Sequence, residues 1–221
     1  MKETVLILQK TLMACELLAA FAGLFYFNKT KDFKTKAFYV YLMLIAAAEQ
    51  LGWYLKTHKY KVETSNLYTY FAIPLEFVFA YWFIIRSSES LRLKKTGVVF
   101  IVTGLITNAV EVIFFRNDKF FFSSIAYITY NFFLVVLVLM FLFEFIRTEK
   151  IIRWWKEICF WVCSAFLIYY LTTFPLYAFY NTLYKNTPNF FYVYWEIQMF
   201  LNMLMYLLFF TGIVWTNREY K

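Results

Sequence analysis

The chain is expected to fold as an all-α membrane protein with seven transmembrane helices, and three observations predict it. Of its 221 residues, 62% are hydrophobic and 25% aromatic. A soluble domain of that length does not carry so much apolar surface, whereas a bundle of membrane helices must. Seven apolar stretches, at about 4–27, 37–55, 66–85, 96–115, 122–146, 157–180 and 190–215, are each long enough to cross a bilayer core as a helix. The connections between them are short and polar, from NKTKDFKTK after the first to NTLYKNTP before the last. Hydrocarbon offers no hydrogen bonds to a backbone, so each stretch must satisfy its own as a helix. No connection has room for a soluble domain, and residues 1–221 are read as a single seven-helix domain.

Taken in order, the first span follows a single lysine, Lys2, and no small-x-small cleavage site comes after it. It is read as a first membrane helix and not a removable signal peptide. Glu16, Ala19, Ala20 and Gly23 give it a small-residue face on which a neighbour can approach closely. Lys10 is near enough to the helix end to snorkel. The second span carries Glu49 and Gln50 near one end. The third, Asn66 to Arg86, places Glu76 in its middle, two residues after Pro74. A carboxylate at that depth costs about 3 kcal/mol, so it is neutral, paired or functional.

The fourth span has Gly104, Thr107, Asn108 and Glu111 at i, i+3, i+4 and i+7, one polar stripe on one face. Ser124, Tyr127 and Asn131 do the same for the fifth. At the far end of that span Glu144 precedes Arg147 by three residues, the spacing of an interfacial ion pair. The following RTEKIIRWWKEI reads as an interfacial turn or short helix, with Trp154 and Trp155 at headgroup level. In the sixth span Cys159 and Cys163 are expected to be small packing groups, and Thr172 and Thr173 precede Pro175. The seventh carries Glu196, Gln198 and Asn202.

Charge sets the expected orientation. The net charge of +8 comes from 22 Lys and Arg that lie mostly in loops, which speaks for membrane-surface electrostatics and against nucleic acid. Lys2, Lys56, Lys59, Lys61, Arg116, Lys119 and Lys185 fall on the N-terminal side, and twice as many basic residues fall on the other. The positive-inside rule then puts the N-terminus outside and the C-terminus in the cytoplasm. The expected location is a bacterial inner membrane, crossed several times.

With that orientation, Glu49, Gln50, Glu76, Thr107, Asn108, Glu111, Asn131, Thr172, Glu196, Gln198 and Asn202 are the candidate ligand-binding residues. They come from six of the seven spans and converge on the outer half of the membrane. Glu16, Glu49, Glu76, Glu111 and Glu196 are embedded acids against one embedded base, Lys10, so most of them lack a salt bridge. They are then protonated and bonded across helices, or they meet a cation, a basic ligand or trapped water. The single histidine, His58, falls in a loop, which excludes a His-based metal site and a Ser-His-Asp arrangement. No cofactor and no metal is expected; the expected partners are membrane lipid, a small molecule, and a protein partner or second copy.

Two segments share Y-x-Y-x-x-I, Tyr68 to Ile73 and Tyr192 to Ile197, at an offset of 124 residues. The offset also brings spans one and two roughly onto five and six, consistent with a parallel 3+1+3 repeat. At that level the chain is similar to carriers of the SWEET and PnuC type, though it has no Pro-Gln loop motif. Ile73-Pro74-Leu75-Glu76 resembles the Pro-x-Glu-Glu pattern of bacterial carotenoid lycopene cyclases, with Phe77 where the second acid would stand. A microbial rhodopsin is excluded, because the seventh span has no lysine for a retinal Schiff base. Over its whole length the chain resembles uncharacterised seven-helix membrane proteins of the Bacteroidota type, in Asn66, Tyr68, Glu76 and Phe77 of the third span, Phe160 and Trp161 of the sixth and Asn202 of the seventh. That resemblance implies the architecture and no activity. The function expected is binding of a small or lipophilic ligand in an outward-facing polar pocket, as a sensor or accessory subunit. A small-solute carrier, proton-coupled through Glu76 or Glu111, is the alternative, and a membrane-embedded lipid or carotenoid enzyme is the third reading.

Overall fold

The computed structural model describes residues 2–115, 124–178 and 188–217. Seven helices in it are long and apolar enough to cross a membrane. We number them α1 (Lys2–Tyr26), α2 (Phe33–Thr57), α3 (Lys61–Ser87), α4 (Leu91–Val110, extended by a π turn over Glu111–Phe115), α5 (Ser124–Ile146), α6 (Ile158–Ala178) and α7 (Pro188–Asn217). No strand occurs among the described residues, and the chain is a multi-pass membrane protein. Several helices begin before the apolar run that announces them, because polar caps start them in the interface. Asp32 accepts from the Thr35 backbone N–H at 3.1 Å and from its hydroxyl at 2.8 Å to open α2, and Ser90 caps α4 through the Leu93 N–H.

α1 packs against α2 and α7, α6 lies between α5 and α7, and α4 lies against α3 and α5. α3 touches α2, α4, α5 and α6. Phe77, Ala80, Tyr81, Phe83 and Ile84 on it are fully enclosed. Phe77 stacks on Tyr130 with ring centroids 4.8 Å apart, and Tyr81 donates its hydroxyl to the Tyr130 carbonyl at 2.7 Å. Lipid is as apolar as these side chains, so close packing and interhelical hydrogen bonds, not exclusion of water, hold such helices together. α4 is peripheral and approaches through glycine. A Cβ on Gly104 would come within 2.3 Å of the Tyr130 ring, and one on Gly97 within 2.5 Å of Ile85.

α3 is not a uniform helix. Tyr68–Ala72 forms a π turn, closed by the Ile73 N–H donating to the Tyr68 carbonyl five residues back. Pro74 follows directly. Its ring has no N–H to give the Tyr70 carbonyl and would collide with it in a regular α-turn, and a wider turn relieves both conflicts.

The antiparallel pair α4–α5 is fastened at both ends by glutamates. Glu111, at the end of α4, accepts from the backbone N–H groups of Ile125 (3.2 Å) and Ala126 (2.6 Å) in the first turn of α5. Glu144, at the end of α5, accepts from Ser88 Oγ at 2.8 Å and from the N–H groups of Glu89 and Ser90 ahead of α4. Each carboxylate thus meets donors that a helix start leaves open, where the helix dipole also favours negative charge. This replaces the ion pair expected between Glu144 and Arg147. Among the described residues the ion pair that forms is Lys150–Glu89, at 2.7 Å on the surface. The expected interfacial segment is a 3-10 helix, Glu149–Lys156, with no buried residue. Near the same end, Asn217 donates to Tyr39 Oη at 3.0 Å and accepts from Thr30 Oγ1 at 3.3 Å, tying the end of α7 to the α1–α2 connection.

Removing the Glu144 acceptor strands several backbone and hydroxyl donors together. Glu144→Ala is expected to lower stability by about 2 kcal/mol, read as reduced thermal unfolding temperature in detergent. Glu89→Gln, which removes only the exposed ion pair, should leave that temperature unchanged.

Candidate functional site

A cavity of about 500 Å³ runs into the bundle beside α3. Its walls come from α1, α2, α3, α5, α6 and α7, and among the described residues none of α4 lines it. Lys56, exposed at the end of α2, marks the rim together with Thr64 and Ser65 at the start of α3. Buried Ile45 and Tyr206 lie at the inner end. Along α3, Glu76 lies roughly 18 Å below Thr64 at 1.5 Å per residue, which reaches the middle of a core about 30 Å thick.

Three glutamates line this space, one from each of the first three helices. Glu16 of α1 is only 2% exposed, and its Oε2 has no hydrogen-bond partner among the described residues. Glu49 of α2 accepts from the hydroxyl of Tyr68 at 2.8 Å. Glu76 of α3 accepts a short hydrogen bond from the hydroxyl of Tyr170 on α6. On the α7 side, Gln198 donates to Tyr169 Oη at 3.4 Å. The Oδ1 of Asn202 is buried and without a partner. Aromatic rings complete the walls, among them Trp53, Tyr127 and Trp195.

Local sequence explains why these groups meet. Glu49 and Gly52 are three apart on one face of α2, and the Tyr68 hydroxyl sits over Gly52. A Cβ there would stand 2.5 Å from Tyr68 Oη, so glycine leaves the room through which Tyr68 reaches Glu49. Tyr68 is also the residue whose carbonyl closes the π turn. The widened turn therefore belongs to the cavity wall, through Tyr68, Thr69 and Ala72, and Pro74 sits between the lining residues Ile73 and Glu76.

Of the residues picked from sequence, Glu49, Glu76, Gln198 and Asn202 line the cavity. Gln50, Thr107, Asn108, Glu111, Asn131, Thr172 and Glu196 do not. Glu111 holds the start of α5. Thr107 bonds back to the Thr103 carbonyl at 2.9 Å, and Asn108 lies beside Tyr130. Asn131 is fully buried and donates to Thr173 at 3.5 Å, while Thr172 bonds back within α6 and is exposed. Glu196 and Gln198 are two apart and so about 200° apart around α7, and only Gln198 faces inward. Gln9, Glu16, Lys56 and Tyr68 belong to the cavity without having been picked as site residues. Glu16 had the signal, an acid on a small-residue face. Among the described residues no group of three or more His, Cys, Asp or Glu converges as metal ligands. Cys159 and Cys163 are buried free thiols, and Cys159 sits 3.1 Å from Ser87 Oγ.

No protein-family profile matches the chain, and neither a curated protein nor a solved structure matches it.

The Gly52–Tyr68 contact sets a quantitative expectation. Gly52→Ala should lower stability by about 1–3 kcal/mol through overpacking, and Tyr68→Phe by about 1 kcal/mol through the lost hydrogen bond. The double variant should lose less than the sum, because removing the hydroxyl removes much of the clash. Thermal unfolding of the four proteins in detergent closes that cycle.

Proposed function

We propose that the protein binds a small molecule in the cavity between α1, α2, α3 and α7, entering from the end of the bundle where the N-terminus lies. The observation that carries this reading is the cavity itself. About 500 Å³ falls in the range of small-molecule sites, and it combines aromatic walls with a few convergent polar groups. A bundle needing only to stay folded gains nothing from three carboxyls around an open space at mid-membrane, where each is costly. With the N-terminus outside, as the distribution of Lys and Arg favours, the mouth faces the exterior of a bacterial inner membrane. A site of this kind suits a sensor or an accessory subunit.

One observation favours the alternative of a small-solute carrier. Carriers build their sites from interrupted helices, whose freed backbone groups line the path of the solute. The π turn and Pro74 of α3 place such an interruption against the cavity.

Native mass spectrometry of gently purified protein tests the binding reading. A discrete bound mass is expected on the unmodified chain and lost or strongly reduced in Glu76→Gln. A chain that carries no bound mass, or one that survives Glu76→Gln and Asn202→Leu alike, would count against it. Uptake into proteoliposomes separates the two roles, since a carrier moves the molecule and a sensor only holds it.

A further inference from the structure

Resting on the reading of the cavity as a ligand site, we infer that its ligand is an organic cation, an amine or ammonium group carried on an apolar or aromatic body. Charge comes first. The described lining residues include three acids, Glu16, Glu49 and Glu76, and one base, Lys56, which is exposed at the rim. Among the described residues the inner part of the cavity therefore holds three carboxyls with no base beside them, and a bound cation would supply the missing partner and favour their ionised form.

Unused hydrogen-bonding capacity comes second. Glu16 is almost wholly enclosed, lines the cavity, and leaves Oε2 without a partner among the described residues. Asn202, on the adjoining helix α7, leaves its buried Oδ1 unmet as well. Both atoms are acceptors. Buried acceptors of this kind are rare in folded proteins and costly unless something donates to them. An ammonium group is three donors and no acceptor, which matches that set.

The third point separates an organic cation from a metal ion. The carboxyls do not come together as a metal-ligating group. They sit on three different helices around a volume much larger than a metal ion needs. Trp53, Trp195 and Tyr206 add faces on which a cationic group and its apolar body both rest favourably.

Isothermal titration of the full chain in nanodiscs tests this with three probes of one shape and different charge: phenethylamine, 2-phenylethanol and 3-phenylpropanoate. Phenethylamine is expected to saturate with an affinity at least tenfold above the alcohol, and the carboxylate to show no saturation. Glu16→Gln should weaken the amine at least tenfold and leave the alcohol unchanged. Asn202→Asp, which adds an acid to the same wall, should strengthen the amine severalfold, so the inference does not depend on a loss that poor folding could mimic. Saturation by the alcohol or the carboxylate as tight as by the amine would overturn the cationic class and leave the cavity as a ligand site. No saturation by any probe, in protein whose thermal unfolding shows it folded, would overturn both.

Discussion

Hydrocarbon gives a polar group nothing to bond to, and every part of this bundle follows from how its polar groups are answered from within. Backbone groups are answered by seven long helices. Where those helices begin, open N–H groups are met by carboxylates and hydroxyls: Asp32 for α2, Glu144 and Ser90 for α4, Glu111 for α5. The pairing of Glu111 with Glu144 is reciprocal. Each helix of the α4–α5 pair ends on the acid that caps the other's start, so the two embedded or near-embedded acids become fasteners and add to the close approach at Gly97 and Gly104 and the stacking of Phe100 on Phe133.

The remaining acids are treated differently. Glu49 and Glu76 are each met by one tyrosine hydroxyl, from Tyr68 and Tyr170, and Glu16 keeps an oxygen unmet. A tyrosine gives one hydrogen bond, whereas a carboxylate can accept about four. The same residue type thus takes two or more donors at one site and fewer at another, and only the second lies on open space. That contrast, more than the number of acids, separates the structural glutamates from those of the cavity. The π turn in α3 belongs to the same arrangement, since it positions Tyr68 above Gly52 within reach of Glu49.

Much of this was legible in the chain. The seven helices follow from apolar length alone, and Glu76 in the middle of a spanning segment announces itself by its cost. What periodicity could not reveal is which neighbour a polar face meets. Gly104, Thr107, Asn108 and Glu111 do share a face of α4, but that face meets α5 and not the cavity. Glu16 was masked by its setting, because Ala19 and Ala20 beside it read as a packing surface, and both are buried. For α7 the distinction was available from geometry, since residues two apart on a helix point to nearly opposite sides and Glu196 and Gln198 could not both turn inward. Tyr68 looked like one of many aromatic residues near a membrane interface, and its role depends on Gly52, sixteen residues away, which no local pattern connects to it.

The central claim is that a cavity with aromatic walls and a few polar groups, open at the N-terminal end, reaches Asn202 and Glu76 in the middle of the membrane. Its most direct test is the reactivity of single cysteines, placed in a chain whose Cys15, Cys159 and Cys163 are replaced, toward a charged, membrane-impermeant thiol reagent applied to intact cells. Thr69→Cys and Asn202→Cys, both on the cavity wall, are predicted to react from outside. Asn131→Cys, buried away from the cavity, is predicted to stay unlabelled. Equal protection of all three, or labelling of Asn131→Cys alone, would contradict the account.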